Sequence, residues 1–314
     1  MAAKPIRLLN SHNQSKSLYK SLRKHWQLLV LILPAILAVG LFHYVPFYGI
    51  QIAFKDFRPS LGIWGSPWIG FDNFVRFLTY PDFWIIVRNT LSISLLSLCL
   101  FPIEPIFAMM INEIDNKPFK RTIQMITYAP HFVSVVVVAS LVMLLLDTSN
   151  GIVNNLIEML GGERIPFMTS PKYFASVFVL SGLWSSLGWG TIIYLAALSS
   201  ISPELVEAAR IDGASRLQIM WHINLPSILP TATILLILRT GNILSVGVEK
   251  ILLMQNPLNL PASRVISSYT YQIGLIGGQF SYSTAIGLFD NIINIIVIIM
   301  VNQLAKRLSQ TSLW

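Results

Sequence analysis

Residues 201–230 read Ile-Ser-Pro-Glu-Leu-Val-Glu-Ala-Ala-Arg-Ile-Asp-Gly-Ala-Ser-Arg-Leu-Gln-Ile-Met-Trp-His-Ile-Asn-Leu-Pro-Ser-Ile-Leu-Pro, a polar segment set between long apolar runs at 173–198 and 228–247. Ser202 is placed to cap a helix whose first position is Pro203, where the missing N–H costs nothing. Glu204 then meets the positive end of the helix dipole. Val206, Ala208 and Ala209 keep one face small, and Asp212-Gly213 supplies a turn in which glycine takes positive φ. A second short helix over 214–222 is expected to follow, ending at Pro226. The segment therefore predicts two short helices around a glycine turn. A helix with small side chains can enter a groove on another protein, and Glu207 can pair with a basic group there. Glu-Ala-Ala alone carries no such meaning, because all three are ordinary helix formers.

The flanking runs set the class of the chain. Of its 314 residues 54% are hydrophobic and only 11% charged, well below the roughly 25% charged residues of soluble domains. Apolar stretches long enough to cross about 30 Å of hydrocarbon lie at 26–46, 85–111, 121–146, 173–198, 228–247 and 282–304. The expectation is an all-α polytopic membrane protein with six transmembrane helices. Its parts are a basic tail (1–25), a first span (26–46), a loop (47–84), a core of five spans (85–304) containing the 199–227 loop, and a closing tail (305–314). The run at 26–46 lacks a small-residue cleavage site and is expected to stay as a span.

Charge sets the orientation. The formal net charge is +8. Thirteen Lys and Arg residues fall in the 1–25 tail, the 112–121 and 199–227 loops and the closing tail; seven, Lys55, Arg58, Arg76, Arg164, Lys172, Lys250 and Arg264, fall in the longer loops opposite. Basic residues accumulate in the cytoplasm, so both termini and the 201–230 segment are expected there. No basic stripe interleaved with aromatics accompanies the charge, which argues against nucleic acid. The single cysteine, Cys99, rules out an internal disulfide.

Proline and polar residues interrupt the spans: Pro34, Pro102 with Glu104 and Pro105, and Pro130. They are tolerated where neighbouring helices or a wet cavity satisfy the freed backbone groups, so the spans are expected to surround something polar. The 47–84 loop holds Trp64, Trp68, Phe71, Phe74, Phe77, Tyr80, Phe83 and Trp84; an interfacial aromatic belt and a docking surface both fit. No Gly-x-x-x-x-Gly-Lys-Ser/Thr loop occurs, the five histidines have no metal spacing, and no nucleophile elbow appears. The chain is not expected to be an enzyme, and no metal or cofactor is assigned to it.

Glu207, Ala208, Ala209, Asp212, Gly213, Ala214, Ile223, Leu225 and Pro226 resemble the EAA loop of the membrane-spanning subunits of binding-protein-dependent ABC importers. Met220, followed by Trp221, stands where that family usually has an aromatic. The likeness continues in Asn89-Thr90-Leu91, Phe119-Lys120-Arg121-Thr122, Tyr128-Ala129-Pro130-His131-Phe132, Gly188-Trp189, Tyr194-Leu195-Ala196-Ala197-Leu198, Asn256-Pro257-Leu258, the run from Tyr282 to Phe289, and Ser312-Leu313-Trp314. These resemble a branch of permeases for polysaccharide fragments, including importers of alginate and pectic oligosaccharides. The resemblance implies a five-helix permease core preceded by one extra span, in a bacterial cytoplasmic membrane. It implies a second, paralogous permease, two ATPase subunits that bind ATP and Mg, an extracytoplasmic binding protein, an oligosaccharide cargo and alternating access. Glu204, Glu207, Ala208, Ala209, Asp212, Gly213 and Ala214 would then dock the ATPase.

Ionisable groups inside spans are the candidates for contact with cargo, because a charge in hydrocarbon needs a cavity or a partner. They are Arg88, Glu104, Arg239 and Asp290, joined by Asn242, Asn294, Trp184, Trp189, Tyr269 and Gln272 as polar and aromatic sugar-binding side chains. Plainer readings stand beside each. Arg88 can snorkel to the interface, Glu104 can pair with Arg239, and Asn242, Asn291 and Asn294 can be interhelical glue. Two other functions share some of these features: a permease for amino acids, peptides or metals, and a membrane scaffold or sensor that moves nothing.

Overall fold

The structure, a computed structural model, describes residues 24–309. Of the expected basic tail only Lys24 and His25 are described, and Ser312-Leu313-Trp314 lies outside the described residues. Every named element among the described residues is helical, and the one β-type pairing is an isolated bridge between Lys55 and Trp68. These residues form two compact units, 24–52 with Phe57–Ser66, and Ala53–Asp56 with 67–309.

In the first unit, α1 (Trp26–Val39) contains Pro34 and has no buried residue. It continues through a π-helical turn, Gly40–Tyr44, and a 3-10 stretch, Val45–Phe54, so the apolar helix runs to Phe54 where the sequence suggested 46. The extra length is still apolar, and a 3-10 stretch rises about 2 Å per residue.

The second unit opens with a short α2 (Asp72–Leu78). Its buried Asn73 donates to the Ala53 carbonyl at 2.9 Å, Lys55 lies over the Trp68 ring, and Phe54, Phe71 and Phe74 form an aromatic triangle. The span at Phe83–Asn112 is made of α3 (Phe83–Cys99) and α4 (Ile103–Asn112), separated by a turn at 100–102. Pro102 and Pro105 lack the N–H groups that would continue the ladder, which is why the helix breaks in mid-membrane.

The third apolar run is not one straight span. It divides into α5 (Lys117–Tyr128), a 3-10 turn (Ala129–Phe132) and α6 (Val135–Leu145), with a 105° bend across the break. Pro130 withholds a donor inside the turn, and Ser134 restarts the helix by accepting from the Val137 N–H at 3.3 Å. After α7 (Ile152–Met159), the 28-residue α8 (Pro171–Leu198) forms the centre of the bundle, packed on α3, α4, α5 and the later span α11. At about 1.5 Å per residue it is some 42 Å long. Gly188 permits its closest crossing, since a β-carbon there would collide with the Thr127 carbonyl of α5.

Beyond α8 come α9 (Pro203–Ile211), α10 (Arg216–Ile219), a π-helical turn (Met220–Asn224) and α11 (Leu225–Thr240). The expected boundary at 227/228 is absent, because α10, the π-turn and α11 form one continuous helix, Arg216–Thr240. Pro226 lies inside that helix, two residues past the π-helical turn, and the irregular hydrogen bonding there accommodates its missing N–H. The last span is α14 (Phe280–Ser309). Between α11 and α14, residues 241–279 fold back on the bundle as α12 (Val248–Met254), a turn at Leu260–Ser263 and α13 (Ile266–Tyr271). Asn89 of α3 donates to the Pro261 and Arg264 carbonyls at 2.8 and 3.1 Å, and Ser94 donates to the Ile243 carbonyl. Ile93, Val142, Phe174, Ile251, Met254 and Val265 close the core beneath the folded-back segment. Among the described residues five helices are long and apolar enough to cross a membrane, or six if the bent α5–α6 pair is one span.

Candidate functional site

Two features stand out, and the helix Arg216–Thr240 joins them. At one end lies the 201–226 segment. Helix α9 begins at Pro203 as expected, yet the Ser202 side chain makes no capping hydrogen bond. Gly213 has φ +82°, the left-handed conformation that the turn requires. The firmer cap belongs to α10: Ser215 accepts from the Gln218 N–H while the Gln218 side chain accepts from the Ser215 N–H at 2.7 Å. That Ser-x-x-Gln capping box was legible in the sequence.

No residue of α9 is buried. Glu204, Glu207, Ala208, Asp212 and Gly213 are exposed, while Ala209 and Ala214 are half-covered and line a shallow hollow of about 230 Å³ with Gln218, His222 and Ile223. Leu205, Ile211, Leu217 and Trp221 are also exposed, and Ile211 at the turn is 86% exposed. The segment thus presents apolar side chains and carboxylates together. Its base is fixed to the bundle: Arg216 pairs with Asp115 at 2.7 Å, and buried Asn224 donates to Glu113 Oε1 at 2.9 Å.

At the other end of the same helix is a cavity of about 370 Å³ inside the bundle. It lies where the α3–α4 break leaves room, against Ser94, Ser97, Leu98 and Leu100, and its other walls are Phe178, Gly182 and Ser186 of α8 with Arg239, Asn242 and Ser245. Arg239 donates to Glu104 Oε1 at 2.9 Å. The Glu104 side chain is 10% exposed and that of Arg239 36%, so the carboxylate is sealed in while the guanidinium faces the opening. Gly190 makes room for this pair, since a β-carbon there would lie 2.8 Å from Glu104 Oε2. One helical turn along α8, Tyr194 is fully buried and its hydroxyl has no partner among the described residues.

The other candidates separate. Asp290 and Asn294, one turn apart on α14, share a 3.4 Å hydrogen bond, and Asn294 Oδ1 accepts from the Leu244 N–H. Asp290 lines a second cavity of about 340 Å³ with Ser267, Thr270, Tyr271 and Ser283, and its Oδ1 is buried without a partner among the described residues. Tyr269 is buried among Phe77, Tyr80 and Tyr282, where burial raises its phenol well above the usual range. Gln272 bonds to Gln255 at 3.4 Å. Trp184 is half-exposed in an apolar groove with Leu141, Leu145, Tyr173 and Leu180. Trp189 stacks on His131 at 4.5 Å. Phe178, Gly182 and Ser186 mark the cavity face of α8 by their spacing of four; Trp184, two residues from Gly182, projects from the opposite side, whereas Trp189, seven residues from Gly182, shares that face about 10 Å farther along the helix.

Sequence reasoning passed over the cavity serines, Gly190 and Lys250. The serines carry no pattern of their own. Lys250 read as a loop cation, yet its ammonium donates to the Phe178 carbonyl at 2.8 Å and lies 4.6 Å from the Phe178 ring centre. Burial lowers its pKa to about 8.

Residues 83–310 match the family model described as binding-protein-dependent transport system inner membrane component. The polygalacturonan/rhamnogalacturonan transport system permease protein YteP of Bacillus subtilis (strain 168) is 42% identical over 288 residues, 91% of this chain and 90% of that one. Protein LplB of the same organism is also 42% identical, over 93% and 92% of the two chains. Among solved structures, one chain of a bacterial ABC transporter involved in import of the acidic polysaccharide alginate superposes with a TM-score of 0.85 at 39% identity, covering 93% of this chain and 99% of its own. A chain of the bacterial alginate transporter in complex with its alginate pentasaccharide-bound periplasmic protein gives 0.86 at 38%, covering 94% and 99%.

Proposed function

Because this chain belongs to the family of binding-protein-dependent transport system inner membrane components, we propose that it forms the oligosaccharide pathway of an ATP-driven importer whose cargo is acidic. As a permease subunit of that family it is not an enzyme, and ATP is hydrolysed on a separate subunit. One observation carries the mechanism: a single helix, Arg216–Thr240, begins in the exposed docking segment and ends beside the cavity. At about 1.5 Å per residue its 25 residues span some 37 Å. A displacement of α9 by a partner is thereby delivered as a movement of Arg239.

In this reading Glu204, Glu207, Ala208, Ala209, Asp212, Gly213 and Ala214 dock an ATPase subunit. Glu104, Arg239 and Asn242 belong to the passage, with Asp290 and Asn294 behind it and Tyr269, Gln272, Trp184 and Trp189 in supporting positions. The complete importer pairs this chain with a second permease on two ATPases carrying ATP and Mg, and receives cargo from an extracytoplasmic binding protein. Both termini and the docking segment face the cytosol. The likeness to a pectic-polysaccharide permease and to an alginate transporter supports an acidic cargo.

The experiment is uptake by the reconstituted complex. Uronate oligosaccharides are expected to stimulate ATP hydrolysis and to be imported, whereas amino acids, peptides and metal ions are not. Import of neutral sugars alone rejects the acidic cargo. Failure of the chain to retain any ATPase subunit rejects the transport reading in favour of a scaffold.

A further inference from the structure

We propose that Lys250 is the residue of this subunit that recognises the carboxylate of the passing sugar, a role that rests on the acidic-cargo reading above. Of the two cations nearest the cavity, Arg239 lines it and already has its counter-charge in Glu104 at 2.9 Å. Lys250 has none. Lys250 is not itself a lining residue; its ammonium rests on Phe178 and Gly182, which are, close enough that a β-carbon on Gly182 would sit 3.3 Å from Nζ. One N–H donates to the Phe178 carbonyl, and the other two have no partner among the described residues.

The surroundings withhold a carboxylate systematically. Helix α12, which bears Lys250, packs on α6 and α13, and the ammonium reaches α8. Helix α6 has no ionisable side chain, α13 offers only Tyr269 and Tyr271, and α8 only Lys172, Tyr173 and Tyr194. The neighbouring Glu249 is exposed, and no ion pair joins the two among the described residues. A half-buried ammonium kept without an acid pays desolvation that a structural lysine recovers through an ion pair. A carboxylate arriving in the cavity supplies that missing charge through charge-assisted hydrogen bonds to the free donors. The neutral serines and Asn242 on the opposite walls are then left for sugar hydroxyls.

The test uses the complete importer with its binding protein in proteoliposomes, supplied with a uronate oligosaccharide and with the same oligosaccharide after carboxyl reduction. Lys250→Gln is expected to reduce uronate import at least tenfold and leave import of the reduced sugar unchanged, and Lys250→Arg is expected to restore uronate import. Gly182→Ala, which crowds the ammonium and preserves its charge, is expected to weaken uronate import severalfold; this arm decides the matter if Lys250→Gln does not assemble. Uronate import unchanged in Lys250→Gln, or in Gly182→Ala where that arm decides, overturns the role of Lys250 and leaves the acidic-cargo reading standing. Equal losses of uronate and reduced sugar overturn it too, because they mark a structural lysine. A wild-type importer that carries only the reduced sugar rejects the acidic-cargo reading itself.

Discussion

Arg239 and Glu104, 135 residues apart in sequence, meet at 2.9 Å inside the bundle, tying α11 to α4 beside the cavity. Removing one member of a fully buried pair costs about 3–5 kcal/mol, because the other charge is left uncompensated. Here a third of the Arg239 side chain is exposed and screened, so the cost is roughly 1–3 kcal/mol. Glu104→Gln and Arg239→Gln are each expected to lower the thermal stability of the assembled complex, and the double variant to recover part of that loss. Strict additivity of the two losses would show that the pair is not energetically coupled.

The docking segment predicts a different phenotype. Gly213→Val forces a β-branched residue to φ +82°, and Glu207→Arg reverses an exposed charge on α9. Both variants are expected to reach the membrane, since no residue of α9 is buried, while losing at least about tenfold of the ATPase subunit bound on co-purification. Normal ATPase recovery together with normal cargo-stimulated hydrolysis would remove the docking role.

Topology is open to cysteine labelling in a background lacking Cys99. Cysteines at Ser60 and Leu258, both exposed, are expected to react with an impermeant reagent from outside intact cells, and one at Ser215 only after the membrane is opened. Labelling at Ser215 in sealed cells reverses the orientation.

A pH dependence follows from Lys250. Its pKa of about 8 in the folded protein means that the ammonium is mostly charged at pH 7 and mostly neutral at pH 9. Uronate import by the wild type is expected to fall severalfold across that interval, and import by Lys250→Arg to stay flat. Loss of folding is not the cause. The pKa is lowered from 10.5 on folding, so between about 8 and 10.5 the unfolded chain holds more protons and this group makes the fold more stable as pH rises. A profile identical in wild type and Lys250→Arg would remove the assignment.

How much of this was readable beforehand depends on the range of the interaction. Pro203, Gly213 and the apolar runs act locally, through φ, caps and hydropathy, and the structure follows them. The kink at Pro130 was signalled too, although its size depends on the Ser134 cap and on what α8 allows. Asn259 shows the limit. In sequence it reads as a polar loop residue, yet it is fully buried, donating to the Met168 and Met254 carbonyls. That burial depends on a segment folding back over residues distant in the chain, which no local pattern encodes. The Glu104–Arg239 pair was an open alternative for the same reason. Of the two tryptophans on α8, Trp184 falls opposite the cavity face and Trp189 on it, a distinction that phase around a helix makes and composition does not.

Phase also gives the π-helical turn at Met220–Asn224 a meaning beyond its local geometry. A π-turn closes a hydrogen bond to the fifth residue along, whereas an α-turn closes it to the fourth, so one residue is accommodated without breaking the rod. Each residue advances an α-helix by about 100°. The angular setting of Arg239 toward Glu104, measured from the docking face, is therefore written into those five residues as much as into the span itself. Letting the turn relax to α-helix with all five residues kept would rotate everything downstream by roughly one residue's advance, about 100°, leaving the same side chains at nearly the same depth but aimed away from their partners. The helix works as a keyed shaft, and the π-turn is its key.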